Sequence, residues 1–330
     1  MWCRVAAVIA VAVLTRVAPA QTTAPATTSA SQPAAAAVEQ PLKPNLKFPT
    51  KESYEREIGE PAVLLDGKHL WLFAPQRKSK EAGIIFRSLT AAYDELYRIV
   101  GVHTKYKMIV YHLPKGWGGT SECVIEYDYG NLDFDKSEEW RKHKVPHVSG
   151  YIEEMAHNFV GTTRAQFGWE MIGWSVGVKV TQRVAPNPIF ARSVQATRAE
   201  QEKTFARYKQ LGNLFPPELE GNLCDRIHAH VLWLCEQRYG PNFWPDFFRE
   251  INPQRKSLDG AIHIKGEDNV RNERCRITVD CFDRMRGLQF KRLLAQHGIS
   301  TTVDVKSLHP TDPKWNRKLT PATAPSTATG

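Results

Sequence analysis

The chain has 330 residues and a mass of 37.4 kDa, and it carries 44 Lys and Arg against 35 Asp and Glu, a formal net charge of +9. Hydrophobic residues make up 42% of the chain and charged residues 24%, which excludes a disordered chain, a coiled-coil rod and a collagen-like fibre. The positive charge is moderate and is not gathered in a dense Lys/Arg block, so it predicts a solvated surface and no nucleic-acid partner.

The N-terminus has the pattern of a secretory signal peptide. Arg4 forms a basic n-region, Val5 to Leu14 form a short apolar core, and Ala18-Pro19-Ala20 is a small-x-small cleavage site. The apolar core is well short of the roughly 20 residues that a membrane-spanning helix needs. We therefore expect residues 1–20 to be removed, the mature protein to be secreted or periplasmic, and no membrane span to remain.

Two segments have a composition that does not support a packed core. Residues 21–46 and 317–330 are rich in Ala, Thr, Pro and Ser, and they carry too few large apolar side chains to offset the cost of ordering. They are predicted to be a disordered linker and a disordered tail. The folded part is then divided into an N-terminal α/β lobe, 47–149, and a mainly helical part, 150–316.

The N-terminal lobe alternates strand and helix patterns. The segment from Glu81 to Val100 has apolar residues at helical spacing, and Gly101 follows it as a stop signal. Three short runs read as strands, the third after a Gly-rich turn at Lys115–Gly119: His69–Phe73, Lys107–His112 and Cys123–Tyr129. From Gly150 onward the predicted helices cover 150–163, 170–183, 197–212, 224–239, 242–251 and 271–296. A small sheet with helices followed by a helical lobe predicts an α+β, two-lobed fold.

One group of residues in the helical part has the pattern of a catalytic or metal-binding site. Glu153, Glu154 and His157 lie within one predicted helix, and Trp174-Ser175-Val176-Gly177 follows after a gap of eighteen residues. This arrangement resembles the active-site region of gluzincins, the zinc metallopeptidases of the thermolysin and aminopeptidase-N kind, whose pattern is HExxH, about eighteen residues, then Glu. In that pattern two His at i and i+4 grip zinc from one helix face, the adjacent Glu polarises the zinc-bound water, and the distant Glu completes the ligand set.

The resemblance implies a zincin-like fold and a set of residue roles. It places Glu154 at the general base and His157 at the second His ligand. Glu153 stands where the first His is expected, and Val176, which cannot bind metal, stands where the distant Glu is expected. It also implies that the strand Cys123–Tyr129 is the edge strand on which a substrate backbone pairs by β-augmentation. The zinc site is therefore degenerate in this chain.

Other residues could rebuild a metal site. Glu170, thirteen residues after His157, and His147, in the loop before the helix, could join Glu153 and His157 in a carboxylate-rich site for zinc or another divalent ion. Each has a plainer interpretation. Glu170 could be an acidic residue that interacts with a helix dipole, His147 a surface residue, and Glu153 with His157 an ordinary helical pair.

Gluzincins also use a His or Tyr of the second lobe to stabilise the developing oxyanion. The resemblance makes His228, Tyr208 and Tyr239 equal candidates for that role, and each could equally be structural. His228 and His230 are two residues apart, so on a helix they do not form a bidentate metal-binding face.

The leading hypothesis is a binding module, a gluzincin-like fold that has lost its zinc site and binds extracellular or cell-wall-associated peptide or glycan without a cofactor. The alternative is an active metallohydrolase with a remodelled site, in which Glu153, His157 and either Glu170 or His147 bind the metal and Glu154 is the base. A purely structural envelope protein is the third possibility. The ligand and the oligomeric state stay open.

Five cysteines remain after cleavage, and the compartment permits disulfides: Cys123, Cys224, Cys235, Cys275 and Cys281. Their odd number leaves at least one thiol unpaired within the chain. Cys224 and Cys235 are too far apart on one helix to bond, so a disulfide of either would have to reach Cys275 or Cys281. Buried thiols are the alternative for all five.

Overall fold

The computed structural model describes residues 42–44, 50–115, 119–121, 123–165, 169–210, 221–260 and 267–297, with backbone only at 119–121, 169, 208–210, 221–225, 267–269 and 271–272. The strands are β1 Ala62–Asp66, β2 Leu70–Pro75, β3 Met108–Leu113, β4 Gly119–Ser121 and β5 Val124–Asp128. The helices are α1 Lys51–Ile58, α2 Ser79–Val100, α3 Glu138–His143, α4 Ser149–Thr163, α5 Trp169–Val184, α6 Pro188–Gln210, α7 Gly221–Tyr239, α8 Phe243–Ile251, α9 Arg255–Gly260, α10 Glu267–Arg284 and α11 Phe290–Gln296. The predicted signal peptide and tail lie outside the described residues, as does nearly all of the linker.

The five strands form one mixed sheet in the order β1-β2-β3-β5-β4. β2, β3 and β5 run parallel, while β1 and β4 pair antiparallel at the two ends. The α+β class is confirmed. The expectation that Cys123–Tyr129 is the edge strand is wrong, because β5 is paired on both sides and the short β4, which precedes it, forms the edge.

The two faces of the sheet bury different clusters. In β2 and β3, Leu72 and Val110 point into the main core, whereas Phe73 and Tyr111 point the other way, onto Tyr54 of α1. This period of two is what a strand imposes on its side chains. The sheet therefore carries α1 on one face and the larger helical layer on the other.

The helix α2 is the packing centre of that layer, and the prediction of a helix ending at Val100 is confirmed. The apolar stripe of α2 is buried. Gly101 ends the helix in a left-handed conformation with φ 77°, and the N–H of Gly101 donates to the carbonyl oxygen of Tyr97. The helix contacts α4, α5 and α8 as well as β2. Residues from Pro41 onward group as one compact unit, and the main hydrophobic cluster extends across the predicted boundary at residue 149.

Two of the predicted helices have wrong bounds. Helix α6 begins at Pro188, nine residues before the predicted start, because the side chain of Asn187 accepts a hydrogen bond from Phe190 N at 2.7 Å and Pro188 suits the first helical position. The predicted helix 271–296 is two helices, α10 and α11. They are separated at Gly287 (φ 83°) and Gln289 (φ 51°), where the backbone leaves the right-handed region.

The cysteines of the described part are buried thiols. Cys235, Cys275 and Cys281 are free, as is Cys123, so the structure contains no pairing of Cys235 with Cys275 or Cys281. Burial raises the pKa of the Cys275 thiol to about 12 and that of Cys281 to about 11, which keeps both protonated near neutral pH. The side chain of Cys224 lies outside the described residues.

Within the described ranges, no helix combines the length and the apolar character that crossing a membrane would require.

Candidate functional site

The site is built on the close packing of α4 against α5, each of which is the other's main partner. Gly173 and Gly177 lie one turn apart on the face of α5 that meets α4. A Cβ at Gly173 would collide with Nδ1 of His157 and lie 2.7 Å from Cε1, and a Cβ at Gly177 would lie 3.0 Å from Cα of Glu153. The turn from Glu153 to His157 therefore faces the turn of α5 that contains Val176, whose side chain is fully buried in the main core.

A histidine and two carboxylates meet where these helices approach. Oε1 of Glu170 lies 3.5 Å from Nε2 of His157, and Oε1 of Glu153 lies 4.0 Å from the same nitrogen. His157 is only 6% exposed, whereas Glu153 and Glu170 are 42% and 43% exposed. The imidazole thus lies at the floor of the site and the two carboxylates at its mouth.

Burial and mutual repulsion control the charges of this cluster. Burial lowers the pKa of His157 to about 4, so its ring is neutral near pH 7. Burial raises the pKa of Glu153, with a further rise from the charge of Glu170, and burial also raises that of Glu170. For Glu154, burial and then the charges of Glu153 and Glu170 raise the pKa to about 7, a value suited to proton transfer near neutral pH.

Tyr127 of β5 also belongs to this environment, although the sequence did not indicate it. The charges of Glu154 and Glu153 add to the burial that raises the pKa of Tyr127. A Cβ at Gly150 would collide with the Tyr127 hydroxyl, so the ring reaches the first turn of α4. Only the pairing of β5 with the sheet reveals this, since Tyr127 lies more than twenty residues before the motif.

A buried hydrogen-bonded pair supports Tyr127 from below. The Tyr127 ring stacks on Tyr151 with 3.9 Å between centroids, and the Tyr151 hydroxyl lies 2.7 Å from Nε2 of His112. Nδ1 of His112 lies 3.1 Å from the carbonyl oxygen of Phe73, which can only accept, so Nδ1 carries the proton and Nε2 accepts from Tyr151. Burial lowers the pKa of His112 to about 4 and keeps this tautomer neutral.

Asn158 ties the edge of the sheet to α4. Its Oδ1 accepts a hydrogen bond from the backbone N–H of Cys123 at 2.9 Å, and its Nδ2 donates to the carbonyl of Glu154 at 2.9 Å. Cys123 has φ 70° at the start of β5, a left-handed conformation that this bond helps to hold. The residue after His157 thus positions the β4–β5 connection beside the site, and β4 contacts α4.

The other sequence candidates lie elsewhere. Nδ1 of His147 lies 3.2 Å from Oε1 of Glu139, and the His147 side chain is 48% exposed, so Glu170, not His147, joins the cluster at His157. The Tyr239 hydroxyl donates to Oδ2 of Asp246 at 2.7 Å, which directs it to α8. His228 lies on α7, where burial lowers its pKa to about 4. The side chain of Tyr208 lies outside the described residues.

Among the described side chains, no group of three or more His, Cys, Asp or Glu is arranged to hold a metal ion. The two pairs that include Nε2 of His157 have the donor separations of a metal site, about 3–4 Å. Comparison of the chain with family models, with curated proteins and with solved structures found no match.

Stability is expected to depend on pH through Glu154. A folded-state pKa of about 7 against an ordinary value of 4.5 means that its contribution is full below pH 4.5 and is lost as pH rises through 7. His157 acts oppositely, since its contribution is full above pH 6.5 and is lost as pH falls towards 4. Thermal melts with EDTA between pH 6.5 and about 8 avoid the range in which His157 contributes. Over that interval the melting temperature of Glu154→Gln should fall less than that of wild type. The exposed Glu57→Gln is the matched control, and an unchanged slope in Glu154→Gln would contradict the assignment.

The helix contact is tested by two glycine variants. Gly173→Ala should lower the free energy of unfolding by roughly 1–3 kcal/mol, because its Cβ collides with His157. Gly161→Ala on α4, where an added Cβ meets nothing within 4 Å, should raise it by about 0.5–1 kcal/mol through helix propensity alone. Urea unfolding measures both, and equal behaviour of the two variants would argue against the close approach.

Proposed function

We propose that this protein is an exported, gluzincin-like binding module that has lost the zinc site and binds a peptide between α4, α5 and the edge strand β4. The observation that carries the proposal is the core position of Val176, because a fully buried valine stands where the resemblance requires the third zinc ligand. The close α4–α5 pair is retained around it, with the motif turn facing Val176.

A groove beside Glu153, between α4, α5 and α6, offers room for the part of the peptide that extends beyond β4. Its cavity is ≈ 290 Å³, and its lining includes Glu139, His147 and Glu153. The rest of the lining mixes apolar and hydroxyl side chains: Trp174, Val178, Ile189, Phe190 and Val194 with Ser149, Thr181, Ser193 and Thr197. We call this cavity the Glu153 groove. Carboxylates, hydroxyls and apolar side chains in one cavity fit a peptide with a cationic group next to an apolar side chain.

The edge strand supports a peptide in preference to a glycan. Within the described part of the chain, β4 pairs on one side only, with β5, so its other side offers backbone groups to an extended chain. Such pairing gives affinity through the main chain of the ligand. The bond from Asn158 to Cys123 keeps this edge next to α4.

The second candidate is an active metallohydrolase, and one observation favours it. Nε2 of His157 lies within 4.0 Å of both Glu153 and Glu170. In this candidate the three side chains would adjust to become the ligands of a divalent ion, which would activate a water molecule. Glu154, with a pKa of about 7, would accept the proton of that water. The charges of Glu154 and Glu153 act on Tyr127, which makes it a further candidate for the oxyanion role assigned on sequence to His228, Tyr208 or Tyr239.

Metal content and hydrolysis separate the two candidates. For the protein purified without chelator, we expect no stoichiometric metal by plasma mass spectrometry and no cleavage of a broad peptide panel with zinc, manganese or cobalt. We also expect the panel to contain peptides that raise the melting temperature. A stoichiometric metal that is lost in His157→Ala, with hydrolysis that is lost in Glu154→Gln, would establish the metallohydrolase instead. No metal, no cleavage and no thermal shift would contradict both candidates.

Binding at the β4 edge predicts a periodic response to backbone methylation. In an added strand, alternate residues of the ligand bond to the edge, so single N-methylation along a bound peptide should weaken binding at every second position only. Each lost main-chain bond is worth about 0.5–1.5 kcal/mol, or roughly 2- to 10-fold in affinity. Calorimetry of the methylated series measures this, and the unaffected positions are the internal control. A uniform effect would place the peptide away from β4.

A further inference from the structure

A second cavity adjoins the Glu153 groove, between α5, α6 and α7. It is ≈ 420 Å³, shares Val178 and Val194 with the groove, and carries these polar residues in its lining: Ser175, Lys179, Arg198, Glu202 and Glu236. We call it the Arg198 cavity. Of these residues only Ser175 belongs to the motif, in its Trp174–Gly177 segment.

Arg198 is held in an unusual environment for a cation. Its guanidinium carbon lies 4.6 Å from the centre of the Trp174 ring and 5.9 Å from that of Trp233. Nη1 donates to two neutral acceptors, Oε1 of Gln201 and the carbonyl of Ala229, each at 3.3 Å. Across the described ranges, no carboxylate lies within ion-pair distance of Arg198, and burial lowers its pKa to about 10. The charge is thus largely desolvated, and an anion in the cavity would stabilise it.

Ser175 provides the second, independent observation. Its side chain is 2% exposed and lines the same cavity. Its Oγ has no hydrogen-bond partner among the residues that the structure describes. A buried hydroxyl without a partner costs about 1–3 kcal/mol, and an acceptor group on a ligand would remove that cost.

Two glutamates also line the cavity, and neither forms an ion pair with Arg198, although the charge of Glu236 partly opposes the fall in the pKa of Arg198. Glu236 accepts from Nζ of Lys179 at 2.8 Å and from Nε1 of Trp244 at 3.3 Å, so its oxygens are already used. Glu202, one turn beyond Arg198 on α6, is exposed to solvent. Glu202 therefore adds an exposed negative charge to the lining of the cavity.

We propose that the Arg198 cavity binds the C-terminal carboxylate of the peptide that occupies the Glu153 groove. This proposal rests on the proposed function, because it names the end of the peptide that the neighbouring cavity receives. A carboxylate is the anion that matches the planar fork of a guanidinium, and one of its oxygens can also accept from Ser175 Oγ. Because Val178 and Val194 line both cavities, the cavities are adjacent, and one peptide could occupy both.

The experiment compares ligand ends on the full chain by calorimetry. The probes are one pool of random hexapeptides with free carboxylate ends, the same pool with carboxamide ends, a carboxamide peptide with an internal Glu, and sodium acetate alone. We expect the free-acid pool to bind at least about tenfold more tightly than the carboxamide pool, because a carboxamide end cannot form the charge-assisted pair with Arg198. Equal binding of the two pools would overturn the proposal, and preferred binding of the internal-Glu peptide would assign the cavity to an acidic side chain instead.

Variants test whether the preference for free-acid ends arises in the Arg198 cavity. Arg198→Gln should abolish the preference for free-acid ends, while Arg207→Gln, which removes an exposed charge from the same helix, should keep it. Glu202→Gln, which removes a negative charge from the lining of the cavity, should strengthen free-acid binding. Should Arg198→Gln fail to fold, Ser175→Ala replaces it as the test, since Oγ makes no bond within the described structure. That variant should weaken free-acid binding several-fold without lowering the melting temperature of the unliganded protein, and unchanged binding would count against the proposal.

Acetate separates failure of the cavity from failure of the proposed function. If neither peptide pool binds but acetate raises the melting temperature of wild type and not of Arg198→Gln, the peptide-binding function is wrong while the carboxylate site stands. If peptides bind without preference for a free end and acetate has no effect, the peptide-binding function stands and the Arg198 assignment is wrong. If nothing binds, both are wrong.

Discussion

The close approach of α4 and α5 is the constraint on which the rest of the site depends. Gly173 and Gly177 carry no side chain on the face of α5 that meets α4, so the ring of His157 lies directly against the backbone of α5 at Gly173. Because the ring fills that space, the carboxylates of Glu153 and Glu170 are left at the mouth of the site, within 4.0 Å of Nε2. The same packing buries Val176 in the core, so the α4–α5 pair contributes to the stability of the fold as well as to the site.

The two cavities beside this helix pair have opposite electrostatic requirements. Near the Glu153 groove, Glu154 has a pKa of about 7 because neighbouring carboxylates and burial oppose its ionisation. In the Arg198 cavity a guanidinium lies between Trp174 and Trp233 with only neutral acceptors. A ligand with a cationic group at one end and a carboxylate at the other would relieve both, and a short peptide has that chemistry.

Local signals predicted the secondary structure well where they were strong. The apolar stripe and the Gly101 stop of α2 were both confirmed, and three strands were found within one or two residues of their bounds. The two wrong helix bounds also had local causes in the sequence. Asn187-Pro188 is a cap followed by a first-position proline, and Gly287 is a stop signal within the predicted helix 271–296. At both places the capping signals, and not the apolar periodicity, set the helix bounds.

The sequence by itself determined α2 and the strands β2, β3 and β5 to within two residues, and it placed Glu153 and His157 on one helix face, because periodicity and stop signals act between residues a few positions apart. Only the tertiary structure decided that Glu170 reaches His157, that β4 rather than β5 is the edge, and that Arg198 and Ser175 line one cavity. These arrangements bring together residues that are far apart in the chain. They are fixed by how closely whole helices pack, which no local pattern encodes.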